Sequence, residues 1–341
     1  MPSALEHIWY RERPPPLALR VLARGFGLVV QLRRTGYRSG LFRSHRLGRP
    51  VIVVGNLTVG GTGKTPLVIW LCERLRGLGL RPAVVLRGYG GDAIRRAQPR
   101  LVSADDDPTA VGDEAVLLAA RSGAAVIACP DRVRAAQQAI EHGADVIVSD
   151  DGLQHLALAR DVEIAVIDAA RSLGNGYLLP AGPLREPAAR LARLDALVLN
   201  VNGLQTGRTT PYLATHRPFT MRLAGDRLLP LNGVGDALAL ASWRGRRVHA
   251  IAGIGHPERF FAQLSAAGLE VVAHPFPDHH RYRARDLQFH ESLPLLMTEK
   301  DAVKCRRFDG ADRWFLPVEA QFADADAEAL MMLIQARTRA A

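Results

Sequence analysis

Apolar residues come in short runs along most of this chain, and the runs are spaced by stretches with helical periodicity. Residues 51–54, 83–86, 125–129, 146–148, 164–167 and 197–199 each read as a buried strand. Between them, 66–78, 114–121 and 132–142 show helical patterning. Short apolar strands separated by helices predict an α/β fold with a parallel sheet covered on both faces. Residues 202–212 are polar and contain Gly and Pro. Residues 219–231 then read as two extended pieces around Gly225-Asp226, which predicts a hairpin. A second alternating set follows, with strands expected at 248–251, 269–273, 295–297 and 314–317. Its helices are expected at 258–267, near 285–290, at 299–306 and at 324–339, the last with acids in its first turn and arginines in its last. The chain therefore divides into an N-terminal segment over 1–50, an α/β domain over 51–203 and a second, smaller α/β domain over 204–341.

The first fifty residues follow a different pattern. Within 17–34, Leu17, Val21, Leu28 and Leu32 fall on roughly one helical face, interrupted by Arg20, Arg24 and Arg34, while Gly25 and Gly27 weaken the helix. Residues 1–50 hold ten arginines against Glu6 and Glu12, a local charge of +8 in a chain whose total is +10. The body is nearly neutral and the N-terminus is a basic appendage. A basic, partly apolar helix suits an anionic membrane surface, its arginines reaching the headgroups. Packing against its own domain is the alternative. Nucleic acid is not expected: no binding fold is recognisable, and aromatic residues are only 6% of the chain. No uncharged apolar run reaches the roughly 18 residues of a membrane span. No secretory signal is expected in an opening that carries Glu6, Glu12 and three consecutive prolines.

Composition, 48% apolar and 23% charged, excludes a disordered or fibrous chain. Cys72, Cys129 and Cys305 are far apart, which argues against a disulfide framework or a cysteine-rich zinc site and fits a reducing compartment. Of 44 basic residues only Lys64, Lys300 and Lys304 are lysine. Where positive charge is otherwise written as arginine, a lysine marks a place for a compact ammonium, or a chance survival.

The strongest chemical signal is the apolar strand at 51–54 running into Thr58, Val59, Gly60, Gly61, Thr62, Gly63, Lys64 and Thr65. A strand, a Gly-rich turn and a helix make a P-loop. Backbone N–H groups wrap phosphates, Lys64 reaches the β- and γ-phosphates, and the Thr65 hydroxyl binds Mg²⁺. The strict pattern has Gly where this chain has Thr58. A second acidic element is expected at a neighbouring strand end, and Asp150 and Asp151 supply it after 146–148. A guanine-reading motif is absent at the right spacing, so ATP is favoured over GTP. The Asp278-His279-His280 segment also admits a metal-site reading, although it lacks partners at ligand spacing.

These motifs occur in order with Arg-Gly-Tyr-Gly at 87–90, Val-Gly-Asp-Glu at 111–114, Asp-Asp-Gly-Leu-Gln-His at 150–155, Pro-Ala-Gly-Pro-Leu-Arg-Glu-Pro at 180–187, Phe-Pro-Asp-His-His at 276–280 and Thr-Glu-Lys-Asp-Ala-Val-Lys at 298–304. The set resembles the tetraacyldisaccharide 4′-kinase family over nearly the whole chain, departing only at Leu86 and Leu153. The resemblance implies two α/β domains joined by a two-stranded bridge. It implies an ATP- and Mg²⁺-dependent kinase that phosphorylates the 4′-hydroxyl of a tetraacylated glucosamine disaccharide 1-phosphate, peripheral to the cytoplasmic face of the bacterial inner membrane. It also implies Asp113 as the catalytic carboxylate, paired with His279 or, second, His280. Glu114 joins Thr65, Asp150 and Asp151 near the metal. Gln154, Arg185, Glu186 and His280 are expected to position phosphate or acceptor. Thr298, Glu299 and Lys300 open a helix, with a capping role for Thr298 as the plainer reading. A P-loop switch or metallochaperone-type NTPase and a soluble small-molecule kinase are the competing functions.

Overall fold

The computed structural model describes residues 4–11, 13–91, 98–202, 217–308 and 310–339. The polar connector expected at 202–212 lies outside these residues from 203 onward.

Two sheets organise the chain. The larger has nine strands in the order Glu319–Phe322, Phe219–Ala224, Ala196–Asn200, Val162–Asp168, Val51–Gly55, Val146–Asp150, Pro82–Leu86, Ala125–Ala128 and Arg100–Val102. Its inner strands are parallel and its two edge strands antiparallel. Helices cover both faces, so the central strands are buried throughout and read as continuous apolar runs. Alternate residues of Val51–Gly55 serve the two layers. Ile52 and Val54 pack with Leu67 and Leu71 of the helix Lys64–Gly77 and with Leu118 of Asp113–Arg121. Val51 and Val53 pack with Val133 and Ala136 of the helix Arg132–Glu141. That helix starts cleanly because Asp131 caps it, accepting from the backbone N–H groups of Val133 and Arg134.

The smaller sheet runs Leu238–Ala239, Arg227–Pro230, Arg313–Leu316, Leu295–Thr298, Arg247–Ala252 and Glu270–Pro275, the last four strands parallel. The helix Pro257–Ala266 covers one face through Phe260 and Leu264, and Glu299–Cys305 the other through Ala302 and Cys305. All α/β elements expected from periodicity are present, except that 285–290 holds only a short 3₁₀ turn, Ala284–Leu287.

Two expectations about the join are corrected. The two pieces of 219–231 do not pair with each other. Phe219–Ala224 pairs with Glu319–Phe322 in the larger sheet, and Arg227–Pro230 with Arg313–Leu316 in the smaller. The chain thus crosses between the sheets twice, at Gly225-Asp226 and at Pro317-Val318, along antiparallel paths. A side-chain carbon on Gly225 would lie 2.3 Å from the Pro317 carbonyl oxygen, so glycine is what lets the crossings touch. Nor is 204–341 one packing unit. Its strands Phe219–Ala224 and Glu319–Phe322 extend the larger sheet. The helix Asp324–Arg339 buries Ala327, Leu330 and Ile334 against that sheet's core. The reason is long-range pairing, which a local turn signal cannot reveal.

The N-terminal helix spans Leu17–Arg38, and only Ala23 and Gly36 in it are buried. A carbon on Gly27 would lie 2.8 Å from the Leu178 side chain, so the expected weak point is a point of close approach. Leu17, Val21, Leu22, Leu28, Val29 and Leu32 are all more than half exposed, from 57% to 70%. Among the described residues no helix is long and apolar enough to cross a membrane.

Candidate active site

The P-loop is held open from outside. Asn56 Nδ2 donates to the Gly60 carbonyl at 3.1 Å, Val59 N–H to the Pro183 carbonyl at 2.9 Å, and Asn200 Nδ2 to the Thr62 carbonyl at 3.0 Å. Gly60 and Gly63 take φ of 107° and 95°, conformations other residues avoid. Thr58, where the strict motif has glycine, has no positive φ and instead forms an antiparallel bridge with Leu184. The departure therefore costs the loop nothing. The helix Lys64–Gly77 has no side-chain cap, so its first N–H groups remain for a phosphate. Lys64 Nζ lies 3.7 Å from Asp151 Oδ1, and Thr65 is the second helical residue.

Asp150 ends the strand beside the P-loop strand, in register with Val54. The two carboxylates have separate environments. Asp151 is bound by both Nη atoms of Arg185 at 2.7 and 2.9 Å, and Arg185 Nη2 also reaches the Asn56 carbonyl at 2.9 Å. Burial opposes ionisation of Asp151, but Lys64 and Arg185 outweigh it and hold the carboxyl well below its usual range. Asp150 is buried, and its Oδ1 has no hydrogen-bond partner among the described residues. Burial and then the charge of Glu114 push it up to about 7, against the pull of Lys64. Such a carboxylate fits a divalent cation, whose charge reverses that penalty. No group of three or more His, Cys, Asp or Glu side chains among the described residues encloses a metal. Mg²⁺ needs only one or two carboxylates when phosphate oxygens complete its shell. Asp150 and Thr65 fit that role best. Asp151 is engaged by Arg185, and Glu114 pairs with Lys300 Nζ at 3.2 Å.

Asp113 opens the helix Asp113–Arg121 and is buried. His279 comes from the loop after the strand Glu270–Pro275 of the other sheet, at φ 57°. Its Nδ1 lies 3.1 and 3.2 Å from the two oxygens of Asp113, and its ring packs 5.3 Å from that of Tyr89. Lys300 and Lys304 each place Nζ 4.0 Å from Asp113 Oδ2. Burial alone raises the Asp113 carboxyl, but the bond to His279 and the two ammonium charges bring it down to about 2. The same bond raises His279 above its ordinary value, with desolvation and Lys300 opposing. His280 turns the other way: its Nε2 meets Asp286 at 3.1 Å and its ring packs near Phe276 and Tyr282. Geometry thus separates the neighbouring histidines, and His280 holds its own loop. Thr298 caps the helix Glu299–Cys305, Glu299 pairs with Arg121 across the sheets, and Lys300 faces the site.

Glu186 lies deeper than the phosphate site. Arg34 of the N-terminal helix pairs with it, Gln154 Nε2 donates to it at 3.0 Å, and Arg190 Nε is 3.7 Å away. Gln154 and Glu186 therefore join the P-loop base to the N-terminal helix. His155 sits among Arg132, Arg33, Arg87 and Arg160, and burial followed by their charges lowers its pKa to about 4. Sequence reasoning missed that cluster. It also missed Asn56 and Asn200, and an ion pair between Asp168 and Arg259 that ties the two lobes. For Arg259 a signal existed: Gly253-Ile254-Gly255-His256-Pro257 is another strand-to-helix turn rich in glycine.

A family model for tetraacyldisaccharide-1-P 4′-kinase matches residues 16–338. A tetraacyldisaccharide 4′-kinase of Alkalilimnicola ehrlichii is 52% identical over 332 residues, 96% of each chain. One from Nitrosococcus oceani is 45% identical over 337 residues, covering 98% of this chain and 95% of the relative. A crystal structure of LpxK from Aquifex aeolicus in complex with ATP superposes with a TM-score of 0.75 at 29% identity, covering 93% of this chain and 97% of that one.

Proposed function

The chain belongs to the tetraacyldisaccharide-1-P 4′-kinase family, and from that premise we propose how its residues divide the work. The enzyme transfers the γ-phosphate of ATP to the 4′-hydroxyl of tetraacyldisaccharide 1-phosphate, a step of lipid A biosynthesis. Lys64 and the Gly60–Gly63 backbone hold the phosphates. Thr65 and Asp150 would hold Mg²⁺, which would supply charge neutralisation to the transferring phosphoryl group. The Asp113–His279 pair receives the hydroxyl proton as the oxygen forms its bond to phosphorus and ADP leaves with the electron pair of the broken bond. Lys300 and Lys304 keep Asp113 ionised, so it can orient the ring and stabilise it once protonated. Arg33, Arg87 and Arg132 offer a positive field for the anionic end of the acceptor.

The observation that carries this reading is the 3.1 Å contact between His279 and Asp113, made between the lobes. A P-loop switch has no use for a base pair aimed at a hydroxyl. The outward Leu17–Leu32 face, more than half exposed and flanked by arginines, supports docking on an anionic leaflet where the lipid acceptor lies. The decisive experiment is an ATP-dependent assay on tetraacyldisaccharide 1-phosphate with the new phosphate located by NMR. ATP hydrolysis without transfer, or phosphate at another hydroxyl, would sink the assignment.

A further inference from the structure

On the P-loop, Gly60 is bracketed by two side chains that the chemistry above does not use. A side-chain carbon there would lie 3.4 Å from Nη1 of Arg171 and 3.9 Å from Nε2 of His256. Arg171 follows the strand Val162–Asp168, while His256 immediately precedes the helix Pro257–Ala266 of the other lobe. The lobes meet here directly: a carbon on Gly255 would lie 3.6 Å from the Gly61 backbone nitrogen.

His256 Nε2 is buried and has no hydrogen-bond partner among the described residues. A buried ring nitrogen left unpaired is costly unless a ligand completes it. Burial, then the charges of Arg171 and Arg259, lower the pKa of His256 to about 4, against Asp168 and Asp278. The ring is therefore neutral at pH 7. Its position is fixed from both sides. Arg259, three residues on, donates from both Nη atoms to the Asp168 carboxylate at the end of a larger-sheet strand. Arg171 lies over the Tyr10 ring, 3.9 Å from its centroid.

We propose that His256 is a phosphate ligand supplied to the P-loop by the smaller lobe, its Nε2–H donating to a terminal phosphoryl oxygen of the nucleotide above Gly60, with Arg171 facing the same oxygens. This rests on the P-loop kinase reading. A neutral N–H donor suits the place: it stabilises charge on the transferring group without competing for the proton bound for Asp113 and His279. AMP, which lacks the outer phosphates, does not reach it.

The test is calorimetric binding of ATP and AMP to the full chain in wild type, Lys64→Ala, His256→Ala and His256→Gln, with unfolding midpoints measured alongside. His256→Ala is expected to weaken ATP about tenfold or more, the loss of one hydrogen bond to a charged group. It should leave AMP affinity and the midpoint unchanged, since Nε2 has no partner in the free protein. The Gln amide should restore part of the loss. Wild-type ATP affinity in His256→Ala beside a loss in Lys64→Ala overturns this proposal and leaves the P-loop reading standing. No loss in Lys64→Ala overturns the P-loop reading itself. Equal weakening of ATP and AMP, or a lowered midpoint that Gln does not correct, assigns His256 a structural role and also overturns the proposal.

Discussion

The imidazole Nδ1 of His279 lies 3.1 Å from Oδ2 of Asp113, although 166 residues separate them and they belong to different lobes. Neither lobe alone contains the pair. Asp113→Asn is expected to lower kcat by about 10²-fold or more while ATP affinity stays near wild type, the pattern of a lost proton acceptor. Collapse of ATP binding in that variant would make Asp113 a metal or structural residue instead.

The same contact sets a pH dependence. His279 must be neutral to take a proton, and its bond to Asp113 raises its folded pKa above the ordinary 6.5. Activity should therefore fall as pH drops through that raised value and be full above it. Asp278 and Lys300 also face the ring, and their charges act on it in opposite directions. In Asp113→Asn the main raising cause is gone, so the acid limb of the residual activity should move to lower pH. The measurement is kcat against pH at saturating Mg²⁺, which displaces the proton that burial favours on Asp150. An acid limb unmoved by the substitution would remove His279 from the proton path.

Lys64→Ala and Thr65→Ala should each abolish transfer and leave the protein folded. Lys64 stabilises charge on the transferring group, and its ion-pair partner Asp151 is also held by Arg185, so the carboxylate keeps a cation when Lys64 is removed. Circular dichroism and a thermal midpoint check the fold, and a transfer assay reads the loss. A folded Lys64→Ala enzyme with near-wild-type turnover contradicts the loop's role.

Much of this site is legible in the residues alone. The apolar runs give the strands because both sheet faces are covered. The lysine count gives more than expected: Lys64 is in the P-loop, and Lys300 and Lys304 converge on Asp113. What the sequence hides is pairing at a distance. The turn at Gly225-Asp226 reads as a hairpin, yet each arm pairs with a strand some ninety residues on. The strand Glu319–Phe322 is only four residues long and buries Ala320 alone, too weak a signal to see without its partner. Glu186 reads as a phosphate-site residue by its neighbours. Its side chain instead turns inward to Arg34, a contact that no spacing rule anticipates.

The N-terminal helix needs a test that the fold allows. Removing residues 1–33 would also strip Trp9, which is buried and donates to the Pro180 carbonyl at 2.9 Å, so a truncated chain confounds docking with lost packing. Substituting the outward face avoids this. Leu28 and Leu32 are 58% and 61% exposed, and Leu28→Ser with Leu32→Ser should change stability by no more than about 0.5 kcal/mol each. If the face enters a membrane, each leucine contributes up to about 1.5–3 kcal/mol on burial, so the pair should weaken vesicle binding at least tenfold. Arginines near an anionic surface contribute about 1 kcal/mol each at most, and salt screens them. Binding of the unsubstituted protein to anionic vesicles should therefore loosen at high salt without vanishing, while the doubly substituted protein should lose what remains. Co-sedimentation at low and high salt reads both effects. Equal sedimentation of the two proteins would return this helix to ordinary packing on its own lobe, with its leucines exposed for no membrane.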